Sequence, residues 1–249
     1  MSGVSFDFSG AHVLVTGGTS GIGFAVARAF TAAGAQVTIT GTRAEPSDYE
    51  TDLAPFAYRR CRMTEPDEID ATVAGLDQLD VLVNNAGQNL PGGRSEYDPA
   101  VFEESVTVNL FGAFRMASVA RDLLAASAID GGASVVNTGS MASFFGIEIV
   151  PGYGAAKAGV VQLTKTLAVA WARHGIRVNA IAPGIVETGM TAPMLPYEQI
   201  TAPMLARTPL GRFAGPDEIA PAVLFLSSPA AGYITGHTLV VDGGFSIAG

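Results

Sequence analysis

AHVLVTGGTSGIGFAVARAF, residues 11–30, is the stretch on which the fold turns. It opens as a short apolar strand and breaks at glycines. It continues as a helix in which Ile22, Val26, Ala29 and Phe30 recur at helical spacing, with Gly34 as the stop. Between strand and helix lies TGGTSGIG, residues 16–23. In such a junction Gly17 turns the chain, Gly21 lets backbone approach a pyrophosphate, and Gly23 permits close helix–sheet packing. The free N–H groups at the helix start then face phosphate charge. A glycine motif alone is equally an ordinary turn; the strand before it and the amphipathic helix after it favour the dinucleotide reading. The GK[ST] ending of a P-loop is absent.

The same rhythm runs outward. AQVTITG (35–41) is a second strand, AYRRCRM (57–63) a short third, and LDVLVNNAG (79–87) a fourth. TEPDEIDATVAGL (64–76) reads as a helix with Thr64 as candidate N-cap and Pro66 in its first turn. Residues 102–126 read as helical despite Gly112. ASVVNTGS is a strand, YGAAKAGVVQLTKTLAVAWARHG a long helix, IRVNAIAPG a strand, 216–226 a helix and HTLVVDGG the last strand. Apolar strands alternating with helices predict an α/β protein with a parallel sheet covered on both faces. With no linker to split it, residues 1–249 are expected to form one domain.

Composition excludes several classes. A chain of 249 residues suffices for one sizeable core, and 14 Lys and Arg against 23 Asp and Glu leave a net charge of −9. That balance argues against nucleic acid and against acidic lipid as partners. The single cysteine, Cys61, forms no intrachain disulfide, and no apolar run reaches the roughly 18 residues of a spanning helix. The first ten residues, MSGVSFDFSG, carry no secretory pattern. A soluble, cytoplasmic protein without a membrane segment is expected. His12, His174 and His237 form no HExxH motif, so no metal is expected.

The chemistry-bearing residues follow in order. Tyr153 and Lys157 are four apart in YGAAK, on one face of a helix. A phenol titrates near about 10, and a neighbouring ammonium favours its anion. Tyr153 then exchanges a proton with an alcohol or carbonyl oxygen. Ser140 offers a hydroxyl where charge develops on that oxygen. Asn109, an amide among apolar helix neighbours, needs a partner and suits a water chain or a helix kink. Each has a plainer counterpart: a surface pair, a turn serine, a structural amide.

Taken together, TGGTSGIG, NNAG, Asn109 in VNLFG, Ser140 thirteen residues before Tyr153, YGAAK, PGIVET and VDGG resemble the classical short-chain dehydrogenase/reductase family, including its 3-oxoacyl-carrier-protein reductases and its sugar and alcohol dehydrogenases. The resemblance spans nearly the whole chain. It implies a single Rossmann-like domain with a seven-stranded parallel sheet, usually a homotetramer, and an NAD(P)-dependent oxidoreductase. It carries over Asn109, Ser140, Tyr153 and Lys157 as the catalytic tetrad, with Tyr153 and Lys157 also touching the cofactor. Gly17, Ser20, Gly21, Ile22 and Gly23 would meet the pyrophosphate and adenosine side, and Asn85, Ala86 and Gly87 would line the cofactor. Pro183, Gly184, Ile185 and Thr188 would hold its nicotinamide end.

Three departures bear on specificity. Residues 45–55 lack helical periodicity, so the helix between the second and third strands is expected to be truncated. CRMTEP puts Arg62 where the family usually has an acid beside adenine; it either contacts the cofactor or faces solvent. In VTITGTR (37–43), Gly41 stands where an NAD-selective acid is expected, followed by Thr42 and Arg43. Without the acid's repulsion a 2′-phosphate is accepted, so NADP(H) is the expected preference, with NAD(H) as the alternative.

A variable lid is expected at about 188–212. Met141, Phe145 and Met190 would line a substrate pocket with Ser140 and Tyr153, and Glu148 would read its polar groups. A small or medium ketone or secondary alcohol is the expected substrate. A 3-oxoacyl thioester reductase and a non-catalytic NAD(P)-binding regulator are the alternatives.

Overall fold

The computed structural model describes residues 5–248. Seven strands, all parallel, form one sheet: β1 (His12–Val15), β2 (Gln36–Gly41), β3 (Ala57–Arg60), β4 (Val81–Asn84), β5 (Ala133–Thr138), β6 (Ile176–Pro183) and β7 (Thr238–Val241). Their order is β3-β2-β1-β4-β5-β6-β7. The chain winds outward from β1 to the β3 edge, then crosses back and winds outward from β4 to β7. The reversal between β1 and β4 opens a crevice at the carboxyl ends of the strands, the place where such sheets bind ligands.

Period-two alternation builds a core on each face. Val13, Val15, Val81 and Val83 lie under α1 (Gly21–Ala32), while Leu14 and Leu82 face the other way. The first core also takes Phe30 from α1 and Val223 and Leu226 from the last helix, Ala220–Ser227. The second takes Ile69 from α2 (Pro66–Ala74), Met116 and Leu124 from residues Gly112–Ala125, and Leu167 and Trp171 from Pro151–Trp171. In chain order the remaining helices are α3 (Pro99–Val106), α4 (Gly112–Ala125), α5 (Pro151–Trp171), α6 (Glu198–Ala206) and α7 (Ala220–Ser227). Helices α1 and α7 thus cover one face, and α2, α4 and α5 the other.

Several details differ from expectation. The N-cap of α2 is Glu65, one residue beyond Thr64, with Pro66 as the first helical residue. The helix expected over 102–126 begins earlier, at Pro99, because Asp98 caps it by accepting from the Ala100 N–H at 2.9 Å. It is then interrupted by a single π-turn at Thr107–Phe111. Between β2 and β3 only the 3-10 turn Pro46–Asp48 forms, as the aperiodic sequence predicts. Among the described residues, no helix is long and apolar enough to cross a membrane.

Candidate active site

The site starts from a clamp between the loops that leave β1 and β4. The Thr16 hydroxyl accepts the Asn85 and Ala86 N–H groups, each at 3.0 Å. The Asn85 amide in turn donates to the Thr16 and Gly17 carbonyls at 3.0 and 3.2 Å. Gly17 adopts φ +63°, and a Cβ there would lie 2.9 Å from the Ala86 backbone. Gly23 has no room for a side chain against the Gly17 carbonyl and the Asn85 amide. Helix α1 has Ser20 as N-cap with no side-chain hydrogen bond, so its first N–H groups stay directed at the crevice. Thr188 reaches over from beyond β6, its methyl 3.2 Å from where a Gly21 Cβ would be. A glycine-bare helix start, with backbone donors and Thr188 opposite, fits a dinucleotide pyrophosphate.

The next turn brings the expected catalytic residues together. Ser140, just past β5, caps a short turn and accepts the Ala142 N–H at 3.1 Å, and its hydroxyl hydrogen-bonds with the Tyr153 phenol. Lys157 is buried; its Nζ donates to the Thr138 carbonyl at 2.8 Å and stands 5.5 Å from the Tyr153 ring centre. Asn109 sits in the π-turn, where the widened backbone frees the Ser105 carbonyl for it. Its amide donates to the Ser105 and Gln88 carbonyls at 2.9 and 2.7 Å and accepts the Gln88 N–H at 3.3 Å. Gly87 lies between: a Cβ on it would press on Asn109 Oδ1 and lie 3.4 Å from Lys157 Nζ. The expected helix distortion and the expected buried amide are one feature.

The electrostatics depart from the sequence expectation. Burial pushes the Tyr153 phenol above its ordinary value; the Ser140 hydrogen bond works against this, and the Glu96 carboxylate adds to it. Burial also brings Lys157 down to about 8. The ammonium is therefore no free source of phenolate, because both groups pay the same desolvation.

Glu96 is the residue that sequence reasoning missed. It is 1% exposed, and its carboxylate accepts the Tyr153 N–H at 2.8 Å, the Leu90 N–H at 2.8 Å and the Ser105 hydroxyl at 3.2 Å. It caps the first turn of α5 across 57 residues of sequence, fixing where Tyr153 begins. The only local sign was a glutamate between Ser95 and Tyr97, which reads as a solvated loop residue.

At the exit of β2, a side chain on Gly41 would collide with the Tyr49 hydroxyl, a second residue no motif announced. Tyr49 also accepts the Arg43 N–H at 2.9 Å, and the Arg43 guanidinium stacks over its ring at 4.8 Å while bonding to the Asp48 carbonyl. Arg43 and Thr42 are both exposed. Arg62, expected either against adenine or facing solvent, is exposed and held in a two-pronged ion pair with Glu68, its Nη2 2.6 Å from the carboxylate. Cys61 is a core residue whose thiol burial pushes up.

On the substrate side, Pro183 ends β6, and Gly184 packs so closely on Asp242 that a Cβ would lie 2.7 Å from its Cα. Ile185 accepts the Ala214 N–H at 3.0 Å, which ties together the two ends of the segment expected to form a lid. Phe145 is half-buried, Met190 is 41% exposed and Glu148 is exposed with its carbonyl accepting the Tyr97 hydroxyl at 2.9 Å. Met141, expected to face substrate, is 6% exposed, in the short turn capped by Ser140. Among the described residues no group of His, Cys, Asp and Glu is arranged to hold a metal.

A parallel sheet with a dinucleotide cradle at its switch point, and a serine–tyrosine–lysine set beside it, defines a nicotinamide-dependent oxidoreductase. Residues 17–246 match the family model described as enoyl-(acyl carrier protein) reductase. The chain is 37% identical over 241 residues to a 3alpha-hydroxysteroid dehydrogenase of Mediterraneibacter gnavus, covering 92% of this chain and 94% of that protein. It is 38% identical over 256 residues to a galactitol 2-dehydrogenase (L-tagatose-forming) of Cereibacter sphaeroides, covering 97% of each. A gluconate 5-dehydrogenase from Burkholderia cenocepacia J2315, solved in complex with NADP and tartrate, superposes with a TM-score of 0.87 at 29% identity over 98% of both chains. The chain belongs to the short-chain dehydrogenase/reductase family and is an NAD(P)-dependent enzyme of hydride transfer.

The lysine gives a pH signature. With a folded value near 8 against an ordinary 10.5, the buried ammonium costs stability in full below about 8. Between those values the unfolded chain binds more protons, so this cost is relieved as pH rises. Chemical denaturation of wild type and Lys157→Met at pH 7 to 10.5 should show the variant more stable at pH 7, with the difference shrinking as pH rises. A constant difference would remove the buried charge as its cause.

Proposed function

We propose that the protein interconverts a small or medium ketone and its secondary alcohol, with Tyr153 as acid and base, and prefers NADP(H). The observation carrying this is the joining of Ser140, Tyr153 and Lys157 beside the uncapped start of α1. The nicotinamide, when bound, supplies or accepts the hydride. Gly17, Ser20, Gly21, Ile22 and Gly23 hold its pyrophosphate and adenosine side; Asn85, Ala86 and Gly87 line the crevice; Pro183, Gly184, Ile185 and Thr188 hold the other end. In reduction Tyr153 gives its proton to the substrate oxygen, and Ser140 donates a hydrogen bond as charge develops there. The raised phenol value keeps that proton in place until it is needed. Lys157 balances the phenolate that remains, and the Asn109 amide orders the path by which the proton is replaced. In oxidation the same groups act in reverse.

Residues 1–249 are read as one catalytic domain, with 188–212 as its lid. The relatives act on a steroid, a sugar alcohol and a sugar acid, which suits a cyclic or polyol substrate better than a carrier-bound acyl chain. Arg212, a basic residue of the lid, is already paired with Glu218 at 2.6 Å and offers little to an acidic carrier. A cytoplasmic location suits the buried free Cys61.

Tyr153→Phe should lower kcat for ketoses or cyclic ketones by about 100- to 10,000-fold while dinucleotide Kd moves less than about twofold. Retained turnover would sink the mechanism.

The NADP(H) preference rests on the filled space beside Gly41, which leaves no acid to repel a 2′-phosphate, and on Thr42 and Arg43 next to it. Titrations should give tighter NADPH than NADH binding, and Arg43→Ala should weaken NADPH alone by roughly tenfold. An equal loss for both would remove Arg43 from this role.

A homotetramer is proposed from apolar side chains left bare on helices of one sheet face: Phe111 and Phe114 are 58% and 47% exposed, and Val169 is 85% exposed. Sedimentation should give four chains per particle, fewer in Phe114→Glu/Val169→Glu. A monomeric wild type would refute the assembly.

A further inference from the structure

Arg207 is the C-cap residue of α6, inside the lid segment. Its guanidinium sits in the corner that two aromatic rings form, 4.8 Å from the centre of Phe145 and 4.6 Å from that of Phe245. The two rings meet edge to face, 6.0 Å apart and inclined by 83°. Its Nε donates to the Phe245 carbonyl at 3.3 Å. Among the described residues, no hydrogen bond or ion pair engages the two terminal nitrogens. The side chain is half-buried, so part of its water is already gone.

Three segments converge to make this arrangement, and each comes from the carboxyl edge of the sheet. Phe145 lies in the turn that Ser140 opens, its N–H bonded to the Met141 carbonyl at 3.0 Å. Phe245 follows β7, and the end of the lid is tied there by the Leu210 N–H on the Gly243 carbonyl at 3.1 Å. The cation is therefore built onto the loop that carries Ser140, which itself bonds to Tyr153. Of the two lid arginines, Arg212 spends its charge on Glu218 through both Nη atoms, at 2.7 and 2.6 Å. Arg207 keeps its donors.

A guanidinium held in the corner of two rings that meet at nearly a right angle has lost part of its rotational freedom before any ligand arrives, so less is lost on binding. Its edge presents parallel N–H groups in the spacing of a planar carboxylate. A phosphate dianion would call for a second cation, and the nearest in sequence, Arg212, is neutralised. We propose that Arg207 is a specificity-determining residue that binds a carboxylate of the substrate, making hydroxy and keto acids the preferred substrates. This rests on the ketone–alcohol reading above and names its substrate class. The half-exposed Phe145 edge then packs against the carbon chain joining that carboxylate to the reacting carbon.

Two matched pairs of compounds test it: 5-keto-D-gluconate with L-sorbose, and 4-oxocyclohexanecarboxylate with its carboxamide. In each pair the members differ in carrying or lacking the carboxylate. In wild type, kcat/KM should favour the acid by at least about tenfold, and in Arg207→Met that ratio should fall to near one, chiefly through a higher KM for the acid. Arg207→Lys should fall between, since an ammonium keeps charge but loses the fork. An unchanged ratio in Arg207→Met, or equal losses for acid and neutral partner, would overturn the proposal. So would stronger discrimination for D-fructose 6-phosphate over D-fructose than for either acid over its partner. Calorimetric titration of both acids into enzyme saturated with oxidised NADP reads the site without turnover. If wild type reduces none of the four ketones, the ketone–alcohol reading fails for them. The carboxylate site then stands on binding by wild type and loss in Arg207→Met, and falls if the two bind alike. Thermal unfolding of both variants in parallel identifies any loss caused by misfolding, in which case Arg207→Lys carries the comparison.

Discussion

The rest of the site depends on the reciprocal clamp between Thr16 and Asn85. Where strand order reverses, the loops leaving β1 and β4 must part to opposite faces of the sheet, and nothing in the ladder holds them once the strands end. One hydroxyl taking two N–H groups, and one amide returning two bonds, join the loops at that point. The clamp explains why Gly17 and Gly23 tolerate no side chain, since both lie within it. It also fixes Ala86 and Gly87, and through Gly87 the spacing of Asn109 and Lys157. The glycine-rich turn and the pair Asn109 and Lys157 are thus joined through one set of contacts, not held as two separate sites.

Much of this was legible in the sequence because its causes are local. Alternating valines and leucines in β1 and β4 give the sheet its two faces, glycines mark the turn, and the four-residue interval from Tyr153 to Lys157 places both on one helix face. The aperiodic 45–55 segment correctly forecast a missing helix. What could not be read are contacts across long loops. Glu96 becomes a helix cap only because the chain returns 57 residues later; Tyr49 and Phe245 matter through neighbours brought close by the fold. Met141 was assigned to the substrate for its chemistry, whereas its burial in the turn after Ser140 could not be read. The Tyr153 direction was misjudged for a similar reason: a neighbouring ammonium is visible in sequence, whereas shared burial and a facing carboxylate are not.

Glu96 also shows a cost accepted at the centre of the protein. A carboxylate there stabilises the α5 start through charge-assisted bonds, yet its charge opposes ionisation of the tyrosine it positions. Rigid placement and easy deprotonation compete, and in this chain placement wins.

The hydroxyl of Tyr49 beside Gly41 constrains how cofactor choice can evolve. An acidic side chain at position 41 needs the volume that the Tyr49 hydroxyl and the Thr19 methyl fill, so the acid alone creates a clash before it creates a ribose contact. Shrinking Tyr49 first, with the Thr19 methyl giving way, is the passable order, though it removes the ring on which Arg43 rests. The two substitutions are therefore coupled in sequence space, with a path between cofactor preferences that is open in one order and obstructed in the other.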